Sequence, residues 1–153
     1  MVGMIYARSV AHSSGMIARL NQKVEDIQQE IQRIAMMTER KKKILSALGV
    51  ALDYCGYDLD AIMGTKCRER SLVDIRSIVW SIYKNETGCS CLQMAGDFNW
   101  DRSTIYCSIN RAEELRRFDR NYADMYDSVH GAYINALAAE EEKQEREGQI
   151  TNL

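Results

Sequence analysis

The sequence predicts an all-α protein: a helical bundle containing a helix-turn-helix, preceded by a long N-terminal coiled-coil-like helix. Three observations predict it. There is no proline among 153 residues, and proline is the residue most costly inside a helix. Met, Leu, Ala, Glu, Arg and Gln are plentiful, and these side chains lose little freedom when a helix forms. Apolar residues recur at three- and four-residue spacings along most of the chain, the helical period rather than the two-residue alternation of a strand. At 46% hydrophobic and 27% charged residues, the chain has enough apolar material for one core under a polar surface.

Four segments follow from the pattern. Residues 1–16 lack the continuous apolar run of a signal peptide or a membrane span and read as a flexible arm. In residues 17–43, Ile17, Leu20, Val24, Ile27, Ile31 and Ile34 keep strict 3-4-3-4-3 spacing, and Thr38 and Lys41 then interrupt the seam before Leu45 and Leu48 resume it. Asn21, Gln22, Lys23, Glu25, Asp26, Gln28, Gln29 and Glu30 fill the other positions, so the apolar stripe is the narrow seam of a coiled coil rather than the broad face of a core helix. A homo-oligomer, with a dimer favoured, is expected through residues 17–37. The alternative is a stripe that packs on its own domain. The run Arg40-Lys41-Lys42-Lys43 is either a solvated face or a phosphate contact.

Residues 44–138 carry the expected domain, and residues 139–153 a charged tail. Ile44, Leu45, Leu48, Ala51 and Leu52 continue a helix that Gly56 stops. A short helix over Asp58–Met63 ends at Gly64, and TKCRERS follows as an exposed basic loop. Ser71 and Asp74 suggest the next helix start. Leu72, Ile75, Ile78, Val79, Ile82 and Tyr83 then give a buried stripe, the mark of a central helix, and Asn85–Gly88 turns the chain. Ser90 and Gln93 have the form of a capping box opening a short helix whose inner face is Cys91, Met94, Ala95 and Phe98. Asn99 can take the left-handed conformation of a helix stop.

A second helix restarts near Asp101, with Ile105, Ser108, Ile109, Ala112 and Leu115 inward and Ser103, Tyr106, Cys107 and Asn110 outward. A short packed helix, a tight turn and a helix with a polar outer face make the layout of a DNA-binding helix-turn-helix. Tyr122, Met125, Tyr126, Val129, Tyr133, Ile134 and Leu137 form the inner face of a closing helix. From Glu140 onward the apolar face vanishes, as in a fraying, solvated helix end.

Charge and chemistry narrow the function. A net charge of -2 argues against a non-specific DNA coater but is compatible with a specific reader that has a local basic patch. Five cysteines without a regular framework suit a reducing cytoplasm. Cys89 and Cys91 have no histidine at ligand spacing, since His12 and His130 lie far away in sequence, so no metal or other cofactor is expected. No paired acid and base, activated nucleophile or phosphate loop is apparent, which argues against an enzyme.

From about Ile44 to Tyr133 the chain resembles the C-terminal DNA-binding domain of the bacterial replication initiator DnaA. The resemblance lies in the order LDYCGYDLDAIM, TKCRERS, SLVDIRSIVWSIYK and then Asp101-Arg102-Ser103-Thr104-Ile105, where the family's reading helix opens Asp-His-Thr-Thr. Arg102 stands for the family's histidine and Ser103 for its first threonine, the preceding turn is one residue shorter, and the initiator's ATPase motif is absent. The resemblance implies a non-enzymatic, sequence-specific double-stranded DNA-binding protein encoded by a bacterium, phage or mobile element and associated with the nucleoid, acting in transcription, replication or site recognition.

It also implies roles. Asp101 accepts from a cytosine amine, Arg102 reaches a guanine edge, and Ser103 and Thr104 meet base or phosphate. Arg76 with Ser77 grips the DNA backbone. Arg68 or Arg70, and more weakly Lys66, enters the adjacent minor groove. Each has an ordinary structural alternative: Asp101 as a cap, Arg102 paired with Asp97 or Asp101, Ser103 and Thr104 as first-turn residues, and Arg76 bonded to Asp74 or a neighbour. Glu113 and Glu114 would repel phosphates, so only the N-terminal end of this helix should enter the groove. A second reading, from another class, is a coiled-coil adaptor that keeps the helix-turn-helix fold and binds protein.

Overall fold

The helical periods of the sequence become six helices in a computed structural model, which describes residues 2–151 and the side chains from residue 13 onward. These are α1 (Val2–Tyr54), α2 (Leu59–Gly64), α3 (Arg70–Thr87), α4 (Cys91–Phe98), α5 (Arg102–Phe118) and α6 (Arg120–Thr151), with no strand among the described residues. The chain divides into two units, Met1–Glu39 and Arg40–Leu153. No helix of the described residues is long and apolar enough to cross a membrane.

In the first unit the backbone is helical from Val2, within the segment read as an arm. The side chains of residues 1–12 lie outside the described residues. Ile17, Leu20, Val24, Ile27, Ile31 and Ile34 are all exposed.

The second unit is built around α3. The last part of α1 contributes Ile44, Ala47, Leu48, Ala51 and Leu52 to a core that also holds Ile75, Ile78, Val79, Ile82 and Tyr83 from α3. α3 packs against α2, α5 and α6. Its largest fully buried residue is Trp80, set edge-on against Phe98 and Trp100 at ring-centroid distances of 6.4 and 5.3 Å. Tyr122, Tyr126, Val129, Tyr133 and Ala136 close the core from α6. Ile134, expected inward, is half exposed. The α6 face buried at Tyr126, Val129, Tyr133 and Ala136 is narrower than the apolar pattern, and Ile134 falls on its edge.

The helix ends follow local chemistry. α3 starts one residue before Ser71, with Glu69 in the N-cap position, and runs on through Asn85–Thr87 until Gly88 takes a left-handed φ of 70°. The turn expected over Asn85–Gly88 therefore reduces to Gly88 itself. The capping box of α4 is complete: Ser90 Oγ accepts from Gln93 N–H, and Gln93 Oε1 accepts from Ser90 N–H.

The charged run after Glu39 is engaged inside the second unit. Arg40 donates to the Glu86 carbonyl at 2.9 Å, Lys41 pairs with Asp97 at 3.0 Å and Lys43 with Glu141 at 3.3 Å. The run therefore has partners within its own unit rather than forming a bare solvated face. Asp97 also accepts from Tyr83 Oη at 2.8 Å, so one carboxylate ties α1, α3 and α4. Burial and then this bond push the Tyr83 hydroxyl pKa up. Desolvation pulls the Lys41 pKa down, but Asp97 and Cys89 together raise it above the ordinary value. The solvated helix end expected from Glu140 is helical to Thr151, with Glu140 accepting from Ser46 Oγ and the residues beyond it exposed.

Candidate nucleic-acid interface

The α4–α5 pair forms the helix-turn-helix. Asn99 sits at φ 54°, ψ 48°, one of the backbone conformations that asparagine tolerates better than other side chains. That reversal lets Trp100 N–H reach back to the Ala95 carbonyl at 3.2 Å, closing the end of α4 and aiming the chain into α5. Asp101 occupies the N-cap position of α5, and its carbonyl accepts from Ile105 N–H at 3.1 Å. Its carboxylate accepts from the Ser103 hydroxyl, which holds the Asp101 pKa below the ordinary value. Ile105, Ile109 and Ala112 anchor the helix in the core.

On the opposite side, Arg102, Ser103 and Thr104 are exposed, and Arg102 makes no ion pair among the described residues. The free N–H groups of a helix's first turn add partial positive charge at this end.

Two concavities flank Asp101. One, of about 330 Å3, is lined by Lys66, Arg68, Arg76, Trp100 and Thr104 among others. The other, about 800 Å3 and open, is lined by Lys84, Ser90, Arg102, Ser103 and Tyr106. Exposed Lys66 and Arg68 thus lie to one side of the α5 N-terminus and Lys84 to the other. Arg70 is exposed too, 3.9 Å from Asp74, whose second oxygen accepts from Arg111 at 3.1 Å.

Arg76 and Ser77 require correction. Both are buried. Arg76 donates to the carbonyls of Leu72 at 3.3 Å, Thr65 at 3.0 Å and Cys67. Its guanidinium lies 4.7 Å from the Trp100 ring centroid, and burial lowers its pKa. It fastens the basic loop to α3 with three of its five N–H donors, so its main role is internal. Ser77 Oγ donates to the Asp74 carbonyl at 2.6 Å and shares a 2.6 Å hydrogen bond with Tyr122 Oη. Ser77 is sealed inside the core, and Arg76 shows only a small part of itself at the wall of the concavity beside Asp101.

Trp100 is the residue whose importance the sequence reading missed. Its indole N–H donates to the Met63 carbonyl at 2.8 Å, and Lys66 Nζ sits 5.3 Å over its ring. It joins the end of α2, the basic loop and the helix-turn-helix into one surface. A tryptophan placed between a helix stop and a helix cap was the available signal, since turns favour small polar residues. Lys84 was missed as well, because it lies on α3 and meets α4 only in the folded chain, 3.8 Å from Cys91 Sγ. Farther along α5, Arg116 stacks 3.8 Å from the Tyr126 ring centroid and Arg111 is tied to Asp74, while Arg117 is exposed. All five cysteines are free. Compared with known proteins, the chain matches no family model, no curated relative and no solved structure.

Proposed function

We propose that this protein binds double-stranded DNA sequence-specifically and without catalysis, reading the major groove with the first turn of α5. One observation carries the reading: Arg102, Ser103 and Thr104 are exposed where the helix-turn-helix begins its second helix, between Lys66 and Arg68 on one side and Lys84 on the other. In this docking mode the N-terminal end of the second helix meets base edges while flanking cations meet phosphates.

Arg102 offers two parallel donors to a guanine edge. Ser103 has its proton directed at Asp101, which leaves the hydroxyl oxygen as an acceptor. The Asp101 carboxylate, which accepts more than one donor, takes a cytosine amine as well. Lys66, Arg68 and Arg70 contribute phosphate or minor-groove contacts. The resemblance to the C-terminal domain of DnaA agrees with this reading and points to transcriptional control, replication or site recognition in a bacterial, phage or mobile-element setting. The exposed seam at residues 17–37 supplies self-association, so two reading helices act on paired sites.

The test is a salt titration on duplexes selected from a random pool. Binding that steepens as salt falls, with one recovered motif, is the expected result. Absence of binding at low salt would overturn the proposal. The second reading, a protein-binding adaptor that retains this fold, is favoured by the burial of Arg76 and Ser77, which removes two expected backbone contacts, and by exposed Glu113 and Glu114. That same absence of binding is its signature.

A further inference from the structure

We infer that the first unit pairs with a second copy of itself in antiparallel orientation, Ile17 of one copy opposite Ile34 of the other. The inference rests on the self-association proposed above and adds its direction. With Ile17, Val24 and Ile31 at position a of the heptad and Leu20, Ile27 and Ile34 at d, all six seam residues are between 51 and 62% exposed. A parallel, in-register pair buries six apolar layers. An antiparallel pair in the stated register also buries six, and in both arrangements the hydroxyl residues Ser13 and Thr38 bracket them. The seam alone therefore does not choose between them.

The flanking positions do. The g column reads Met16, Lys23, Glu30, Met37, and the e column Ser14, Asn21, Gln28, Ala35. In a parallel coil g faces e of the next heptad, which sets Met16 against Asn21, Lys23 against Gln28 and Glu30 against Ala35. None of these is an apolar or ionic match. In an antiparallel coil g faces g and e faces e. In the stated register Lys23 meets Glu30 of the second copy, twice by symmetry. Met16 meets Met37, both large apolar side chains about half exposed in the single chain, and Asn21 meets Gln28.

The g column is complementary to its own reversal at every position, apolar to apolar and plus to minus, and charges at these positions set orientation in coiled coils. Glu30 already holds Arg33 of its own helix at 2.6 Å, and a carboxylate accepts more than one donor. At 1.5 Å rise per residue, the two Glu39 residues leave this pairing about 40 Å apart along its axis.

The experiment is sedimentation equilibrium of the full chain as wild type, Lys23→Glu, Glu30→Lys and the double variant. The wild type is expected to be a dimer. Each single variant sets like charges face to face at two symmetric positions and should weaken the dimer about tenfold. The double variant restores both pairs with the signs exchanged and should return to within about twofold of wild type, although the Arg33 contact stays lost. A dimer indifferent to the single variants, or weakened without rescue, overturns the antiparallel direction and leaves self-association standing. A trimer or larger oligomer also overturns it. A wild type that is monomeric at every concentration overturns self-association itself, and the orientation with it.

Discussion

Two apolar stripes of almost the same spacing meet opposite fates in this molecule. In α3, Ile75, Ile78 and Ile82 are 0, 0 and 1% exposed; in the first unit, Ile27, Ile31 and Ile34 are 60, 62 and 56% exposed. Both stripes are equally good reasons to form an amphipathic helix. The difference lies in what flanks them. The α3 stripe is broadened by Val79, Trp80 and Tyr83 into a face wide enough to receive helices on several sides. The first-unit stripe stays one seam wide between polar residues. Periodicity thus specifies that a helix has an apolar face, and the width of the face goes with whether its own domain covers it.

The sharpest way to break this comparison is one substitution made in both stripes. Ile78→Asp puts an unpaired carboxylate into a sealed core, and the second unit should fail to fold under native conditions. Ile31→Asp should leave the thermal unfolding of the second unit within about 2 °C of wild type, since exposed positions rarely matter by more than about 0.5 kcal/mol, while abolishing self-association. Calorimetry and sedimentation read the two effects. Equal destabilisation by both would mean that the seam is covered within its own chain.

A second pair contrasts two arginines. Arg76→Met removes three hydrogen bonds to carbonyls and should cost about 2–4 kcal/mol in urea unfolding. Arg102→Ala should leave stability within about 0.5 kcal/mol. It should nevertheless reduce discrimination between the selected and a random duplex by about 1–3 kcal/mol. Loss of equal size on both duplexes would count against base reading.

Alkaline pH probes the α3–α6 seam next. Burial pushes the Tyr122 hydroxyl up to about 12 from an ordinary value of 10.0. A group whose folded pKa is raised contributes stability that is complete below the unfolded value and is lost as pH rises through the folded one. Stability should therefore fall between about pH 10 and pH 12, and Tyr122→Phe should flatten that fall in a pH series of urea melts. The smallest effect is that of Lys84→Ala: slightly weaker binding on every duplex, with the salt slope reduced by about one.

The outcomes at particular residues show where sequence reasoning carries. The capping box at Ser90 and the left-handed Asn99 are local devices completed within a few residues, and both appear as expected. So do Ile105, Ile109 and Ala112 inward against Ser103, Tyr106 and Cys107 outward, because 3.6-residue geometry alone sorts them. Arg76 was misread because its three acceptors come from a carbonyl one turn back and from a loop whose path exists only after folding. Trp100 and Lys84 were overlooked for the same reason, their partners lying 37 and 7 residues away. Arg40, Lys41 and Lys43 form a basic run in one dimension and three separate ties in space.

The sequence by itself determined that the chain is helical, where α4 and α5 meet, and which residues of α5 face away from the core, since periodicity, caps and turns are short-range. It also contains the reversal-complementary g column of the first unit. Only the tertiary structure decided which cations remain at the surface. A charge is neutralised by whatever the fold brings within about 4 Å, and for Lys41, Lys43 and Arg76 that is a partner far along the chain or a carbonyl of the folded loop, while Lys66, Arg68 and Arg102 are left facing solvent.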